Sequence, residues 1–186
     1  MKYFHVVFLV LVCSTAVAQI KCTIKFVATE PKFENAAEEY RKLWASEGGK
    51  IITKLELLSG MKLLDTMIVA NVKEAPSYSG WGTDPMILRA SYPKDVKKGT
   101  LVHELAHRLH ASLKFIPKDM NDHEILFLYL YDVYEDLYGK EFADKMVEVE
   151  GTRSNPKNDY KTMWANVTAM TRAQREAKIK EIVTKR

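Results

Sequence analysis

Four of the five histidines in this 186-residue chain fall between positions 103 and 123, and two of them frame a specific pattern. His103-Glu104-Leu105-Ala106-His107 reads H-E-x-x-H. On a helix, residues four apart share one face about a turn apart, so both imidazoles can reach a single metal ion. The chemistry that fits is zinc-dependent hydrolysis. Zinc acidifies a water, and Glu104, beside the first ligand, is positioned to take that water's proton as general base and hand it to a leaving amine. With this composition the pattern arises by chance in roughly one such sequence in a hundred.

A catalytic zinc has three protein ligands and one open position, so a third ligand must come from elsewhere. His110 is nearest, but it lies seven residues beyond His103, about 10.5 Å along a helix axis, too far to share an ion bound at ~2 Å. It reads as a residue of the cleft rim, as support behind a ligand, or as plain surface. His123 and Glu124, at the start of the next helix, are better placed, and either is chemically suitable. Histidine is the rarer residue here and the harder one to explain as surface, which favours His123. Glu124 is the alternative, or it simply complements the helix dipole.

These residues need elements to hold them. The periodicity predicts short strands at Ile24–Ala28, Thr66–Val72 and Pro85–Tyr92, the last near a sheet edge because prolines flank it. Helices are predicted at Glu34–Glu47, stopped by Gly48-Gly49, and at Lys50–Leu58. The motif helix runs from Leu101 to about Lys114 with Thr100 as its N-cap, followed by Asp122–Tyr138, closed by Gly139. Glu141–Glu150, Asp159–Asn166 and Arg172–Thr184 complete the set, the last packing through Ala173, Ala177 and Ile182. Strands among helices first and helices alone afterwards give the α+β class. The loop Glu74–Asp84 is dense in turn residues, and its Trp81 either lines a cleft or plugs the turn.

Residues 1–18 read as a cleaved signal peptide. One lysine precedes an apolar run from Val6 to Ala18, and Ala16-Val17-Ala18 offers small residues for cleavage before Gln19. The run is shorter than the ~20 residues of a spanning helix, so no transmembrane anchor is expected. A lipid anchor through Cys13 is disfavoured by the bulk of Val12. Export leaves residues 19–186 as one domain, periplasmic or extracellular, in which Cys22 is a lone thiol. Two cysteines exclude a disulfide scaffold and any four-cysteine metal site. The formal charge of +4 is too small and scattered to argue for nucleic acid.

The HELAH helix with a ligand candidate on the following helix resembles the zincin metallopeptidases, and is more similar to the gluzincin branch than to the metzincins. The metzincin pattern has glycine and histidine where this chain has His110 and Leu113. The segment His123–Asp132 also resembles the second helix of small exported bacterial proteins that carry the same motif helix. The resemblance implies a minimal zincin-like core from about Thr66 to Gly139, a short sheet plus the active-site helix, with a helical C-terminal part behind it. It implies His103 and His107 as ligands, Glu104 as base and Glu124 as third ligand. The aspartate that often follows that glutamate by four residues is replaced by Leu128, which keeps His123 ahead. It further implies that peptide pairs with an edge strand, for which 85–92 is the candidate, or that 85–92 is an internal strand with no such role. An oxyanion-stabilising tyrosine or histidine is also implied, with Tyr129, Tyr131, Tyr134 and His110 as candidates. Asp132 and Glu135 either orient a ligand histidine or form a solvated helix face.

The sequence thus points to an exported metallopeptidase holding one Zn2+ per chain, with a peptide or protein as substrate. The alternatives are a non-catalytic zinc- or peptide-binding module that keeps the helix, and a zinc hydrolase acting on a non-peptide amide.

Overall fold

A computed structural model describes residues 22–113, 115–153 and 158–185; the signal-peptide reading, with Cys13 and Gln19, lies outside them. The architecture is α+β: a small three-stranded parallel sheet followed by helices. Strands β1 (Thr23–Ala28), β2 (Met67–Lys73) and β3 (Met86–Arg89) lie in that order, with Phe26 opposite Ala70 and Ala70 opposite Met86. Their alternation does the positioning. Ile24, Phe26, Ile68, Ala70, Val72, Met86 and Leu88 are buried on one face, while Lys25, Met67 and Val69 face out. Cys22, just before β1, is the free cysteine of the described residues, and burial, with some help from Asp65, pushes its thiol up to about 11.

The β1–β2 crossover is one helix, α1 (Glu34–Ser59), running through the Gly48-Gly49 pair expected to stop it. The reason is packing. A Cβ on Gly48 would come within 2.7–2.9 Å of the Trp44 indole, so the missing side chain admits Trp44 and offsets the ~1 kcal/mol helical cost of glycine. The helix ends instead at Gly60, in the left-handed region at φ 70°. The β2–β3 connection contains no helix at all. Residues 74–85 fold over the outer edge of β3, where Tyr78 pairs antiparallel with Ile87 (N–H···O 3.0 and 2.8 Å).

The motif helix, α2 (Lys94–Leu109), starts seven residues before the expected Leu101, directly after Pro93. Gly99 and Thr100 are interior rather than capping, because Met146 of a later helix packs into the space a Gly99 side chain would fill. A single 3₁₀ turn, His110–Ser112, ends the element. Helix α3 (Asp122–Tyr138) is buried from Ile125 through Tyr134. It packs against α1, α2, α4 (Lys140–Gly151), α5 (Tyr160–Thr168) and α6 (Arg172–Thr184).

Helix α6 docks differently from the expected Ala173/Ala177 face, both of which are exposed. Its buried residues are Arg175, Ile179 and Ile182. Arg175 makes a two-pronged pair with Asp132 of α3 (Nε–Oδ2 2.9 Å, Nη2–Oδ1 2.5 Å) and also donates to the Met170 carbonyl. Among the described residues no helix is long and apolar enough to cross a membrane.

Candidate metal centre

Helix α2 presents His103, Glu104 and His107 at the floor of a cleft of about 490 Å³, and the first turn of α3 brings His123 to the same place. The Nε2 atoms of His103 and His107 are 3.1 Å apart, and those of His107 and His123 are 3.2 Å apart. Three imidazole nitrogens on one tetrahedral zinc, at 2.0–2.1 Å each, would stand about 3.3 Å from one another. The donor set therefore fits a zinc-sized ion.

The opposite edges of the rings show why these nitrogens converge. His103 Nδ1–H donates to Glu150 Oε1 at 3.0 Å, and His107 Nδ1–H to Asp122 Oδ2. Carboxylates that accept at Nδ1 leave Nε2 as the lone-pair end, so the free electron pairs of His103 and His107 face each other. His123 Nδ1 lies 3.4 Å from Asn158 Nδ2. Burial, then the nearby His107 and His103, hold the His123 imidazole down to about 3, which leaves it neutral at physiological pH. Burial likewise depresses His107 against the pull of Asp122. At His103 burial disfavours the charge too, but Glu150 outweighs it and the net shift is upward.

Sequence reasoning did not find Glu150, the partner of His103. It is 2% exposed, at the end of α4, 47 residues from His103. Tyr134 Oη donates to its Oε1 at 3.1 Å and Trp164 Nε1 to its Oε2 at 3.2 Å. Burial would raise this carboxyl, but the His103 charge and hydrogen bond, with Arg153 and Tyr134, hold it at about 2. No local pattern could have marked it. Asp122 did leave a signal, since it directly precedes His123 and sits where a helix favours acid. Glu150→Gln is expected to weaken zinc binding about 10- to 100-fold in competition with a chromophoric chelator, with far-UV circular dichroism unchanged.

The other expected site residues fall as follows. Glu124 is turned away from the imidazoles. Its carboxylate accepts from the Asn121 backbone N–H (2.7 Å) while Asn121 Oδ1 accepts from the Glu124 N–H (3.0 Å), a reciprocal cap on α3. His110 is fully buried and stands behind the trio: its Nδ1 pairs with Asp122 and its Nε2 is 3.1 Å from Tyr129 Oη. Tyr131 donates to Asp144 (2.8 Å) under the Arg175 guanidinium, away from the cleft. Asp132, the supposed ligand-orienting or solvated residue, is buried in its ion pair with Arg175. Tyr129 donates to the Ala106 carbonyl inside the core, and the Tyr134 hydroxyl, between Glu150 and the Gly99 carbonyl (3.0 Å), is likewise buried. The tyrosines that do line the cleft are Tyr78, Tyr92 and Tyr160, the last with its hydroxyl 3.1 Å from His123 Nε2.

The cleft wall opposite the helices is the 74–85 connection. Because Tyr78 already pairs with Ile87 and Ser77 Oγ accepts from the Arg89 N–H (3.2 Å), the outer edge of β3 is occupied at these positions. Ser77–Ser79 borders the cleft in its place. Arg108, next to His107, holds this wall: its guanidinium donates to the carbonyls of Ser79 (2.8 Å), Gly82 (3.0 Å) and Asp84 (2.7 Å). Gly80 passes so close that a Cβ would sit 2.8 Å from Arg108 Nη2. Trp81, 43% exposed, projects at the rim.

Comparison of the chain with protein-family models, with curated proteins and with solved structures returns no match. The chemical content of the site therefore rests on its geometry. Among the described residues two clusters could hold a metal ion, His103/His107/His123 and His107/His110/Asp122. Only the first joins three imidazole donors at an open cleft with an acid beside them. In the second, Asp122 is already committed to both imidazoles.

Proposed function

We propose that this chain is an exported zinc metallopeptidase. The observation that carries the reading is the convergence of three Nε2 atoms, two of them set by carboxylates on the far edge of the ring, beside a glutamate that lines the same cleft. Zinc, when bound, supplies the Lewis acidity that brings a water's pKa towards neutrality. His103, His107 and His123 are its ligands, and Glu150 and Asp122 hold the first two in the ligating tautomer. Glu104 is 4% exposed, and its carboxylate has no hydrogen-bond partner among the described residues. It is thus available to take a proton from water at the cleft floor and to pass it to the leaving amine. Tyr160, within reach of the same point, is the group best placed to donate to a developing oxyanion. The substrate is a peptide or protein segment lying between α2 and the Ser77–Ser79 wall. Export is supported by the apolar run and small-residue site of residues 1–18.

The test is metal stoichiometry in purified protein. Wild type is expected to hold one zinc per chain, His123→Ala to lose it, and Glu124→Ala to keep it with only about 1 kcal/mol lost from the helix cap. Zinc lost from Glu124→Ala but kept by His123→Ala would reverse the ligand assignment. A wild-type chain that takes up no zinc would refute the function.

A further inference from the structure

One strong charge in the cleft has no role in the chemistry above. Arg153 follows α4 and lines the cleft beside Glu104, yet its guanidinium, with five N–H groups, makes a single hydrogen bond among the described residues, from Nη2 to Thr100 Oγ1 at 3.3 Å. No carboxylate of the described residues comes within ion-pair distance of it. The carboxylates whose charge acts on it most are Glu150 and then Glu104. Both Glu150 oxygens are already taken by His103, Tyr134 and Trp164, and Glu104 is reserved for proton transfer. The second cleft arginine is engaged, since Arg89 pairs with Glu74 and donates to the Ala75 carbonyl, each at 3.1 Å. Tyr92 lies between the two, its ring centre 5.2 Å from the Arg89 guanidinium and 5.7 Å from that of Arg153.

The position of Arg153 relative to the chemistry follows from its one bond. Thr100 and Glu104 are four apart on α2 and share a face, so the guanidinium stands about one helical turn, roughly 5 Å, from the general base. At about 3.3 Å per residue, that is the span of one to two residues of extended peptide. The three acids around the imidazoles, Glu104, Glu150 and Asp122, would repel an anionic substrate if nothing offset them. A guanidinium with open donors reverses that field locally and matches a carboxylate in shape.

We propose that Arg153 selects substrates bearing a carboxylate within one or two residues of the bond that is cut, either the chain's own C-terminus or an acidic side chain. The proposal rests on the peptidase reading, and its experiment separates the two. Zinc-loaded wild type, Arg153→Met and Arg153→Lys are given three peptides of one core sequence: C-terminally free, C-terminally amidated, and amidated with glutamate in place of glutamine beside the bond. Zinc content is measured for each protein. In parallel, binding of N-acetyl-leucine against its amide, and of N-acetyl-glutamyl amide against N-acetyl-glutaminyl amide, is titrated calorimetrically on the metal-free proteins.

Wild type is expected to prefer at least one carboxylate-bearing member of each set by about 10- to 100-fold, the range for a charge-assisted pair. Arg153→Met is expected to abolish that ratio with zinc unchanged, and Arg153→Lys to keep part of it. A preference tied to the free C-terminus makes the protein trim chain ends, and one tied to glutamate makes it cut internally; either supports the proposal. Equal use of carboxylate and amide by wild type overturns it, as does an Arg153→Met variant that slows all peptides equally. Because each readout is a ratio within one protein, partial unfolding of a variant does not mimic the result. If no peptide is cleaved, the peptidase reading fails, and the binding arm alone decides the role of Arg153.

Discussion

Glu104→Gln will leave the protein folded and zinc-loaded but will lower peptide hydrolysis by roughly two to four orders of magnitude, the usual contribution of a positioned general base. Glutamine keeps the shape and removes the basic oxygen. Because no described side chain hydrogen-bonds to the Glu104 carboxylate, the exchange orphans no buried partner and stability should hardly move. The three imidazoles and their carboxylates are untouched, so metal stoichiometry stays at the wild-type value. Steady-state kinetics on a fluorogenic peptide together with elemental analysis of the same sample checks both halves. A variant that keeps the full rate would mean that the proton goes elsewhere. A variant that loses zinc would mean that Glu104 is a ligand rather than a base.

The largest expected effect on stability lies away from the cleft. Asp132→Ala will cost about 3–5 kcal/mol, because it strands the Arg175 cation in the core. Arg175 and Asp132 side chains are 6% and 2% exposed, so water cannot replace the lost partner. Against a total stability of roughly 5–15 kcal/mol, this is a large fraction of what holds the fold. Urea unfolding should show a much lower midpoint at similar slope. The double variant Asp132→Leu/Arg175→Met should recover most of the loss, since a pair replaced by apolar side chains leaves no lone charge. The fraction of Asp132→Ala that remains folded should bind zinc as wild type does, because Asp132 reaches no imidazole. A specific fall in zinc affinity at unchanged stability would restore the ligand-orienting role that the sequence alone suggested for it.

The legible parts of the molecule were those written in local spacing. HELAH on a helix, the bounds of α3 at Asp122 and Tyr138, those of α6 at Arg172 and Thr184, and the α+β order could all be read from periodicity, caps and turn residues. The histidine at the head of α3 was also marked, by its rarity. What escaped was decided by partners distant in the chain. Gly48 and Gly99 look like breaks until Trp44 and Met146 are seen to occupy the space they leave. Arg175 and Asp132 look like surface residues until α6 is laid on α3. Glu150 and Tyr160 reach the imidazoles only because α4 and α5 fold back over α3, and nothing near them in sequence records that.

Arg108 fixes the cleft wall entirely through backbone carbonyls, those of Ser79, Gly82 and Asp84. Carbonyls are the same whatever side chain they belong to. Apart from Gly80, which needs its bare α-carbon, and Gly82, at a positive φ of 56°, the residues of that wall can therefore be exchanged without loosening its attachment to the helix that bears His103 and His107. Attachment and surface chemistry are thus separable in this protein. Substitutions at Tyr78 and Trp81 can redraw what the cleft accepts while His103 and His107 keep their places, which makes the connection between β2 and β3 the part of the molecule where new selectivity is easiest to evolve or to engineer.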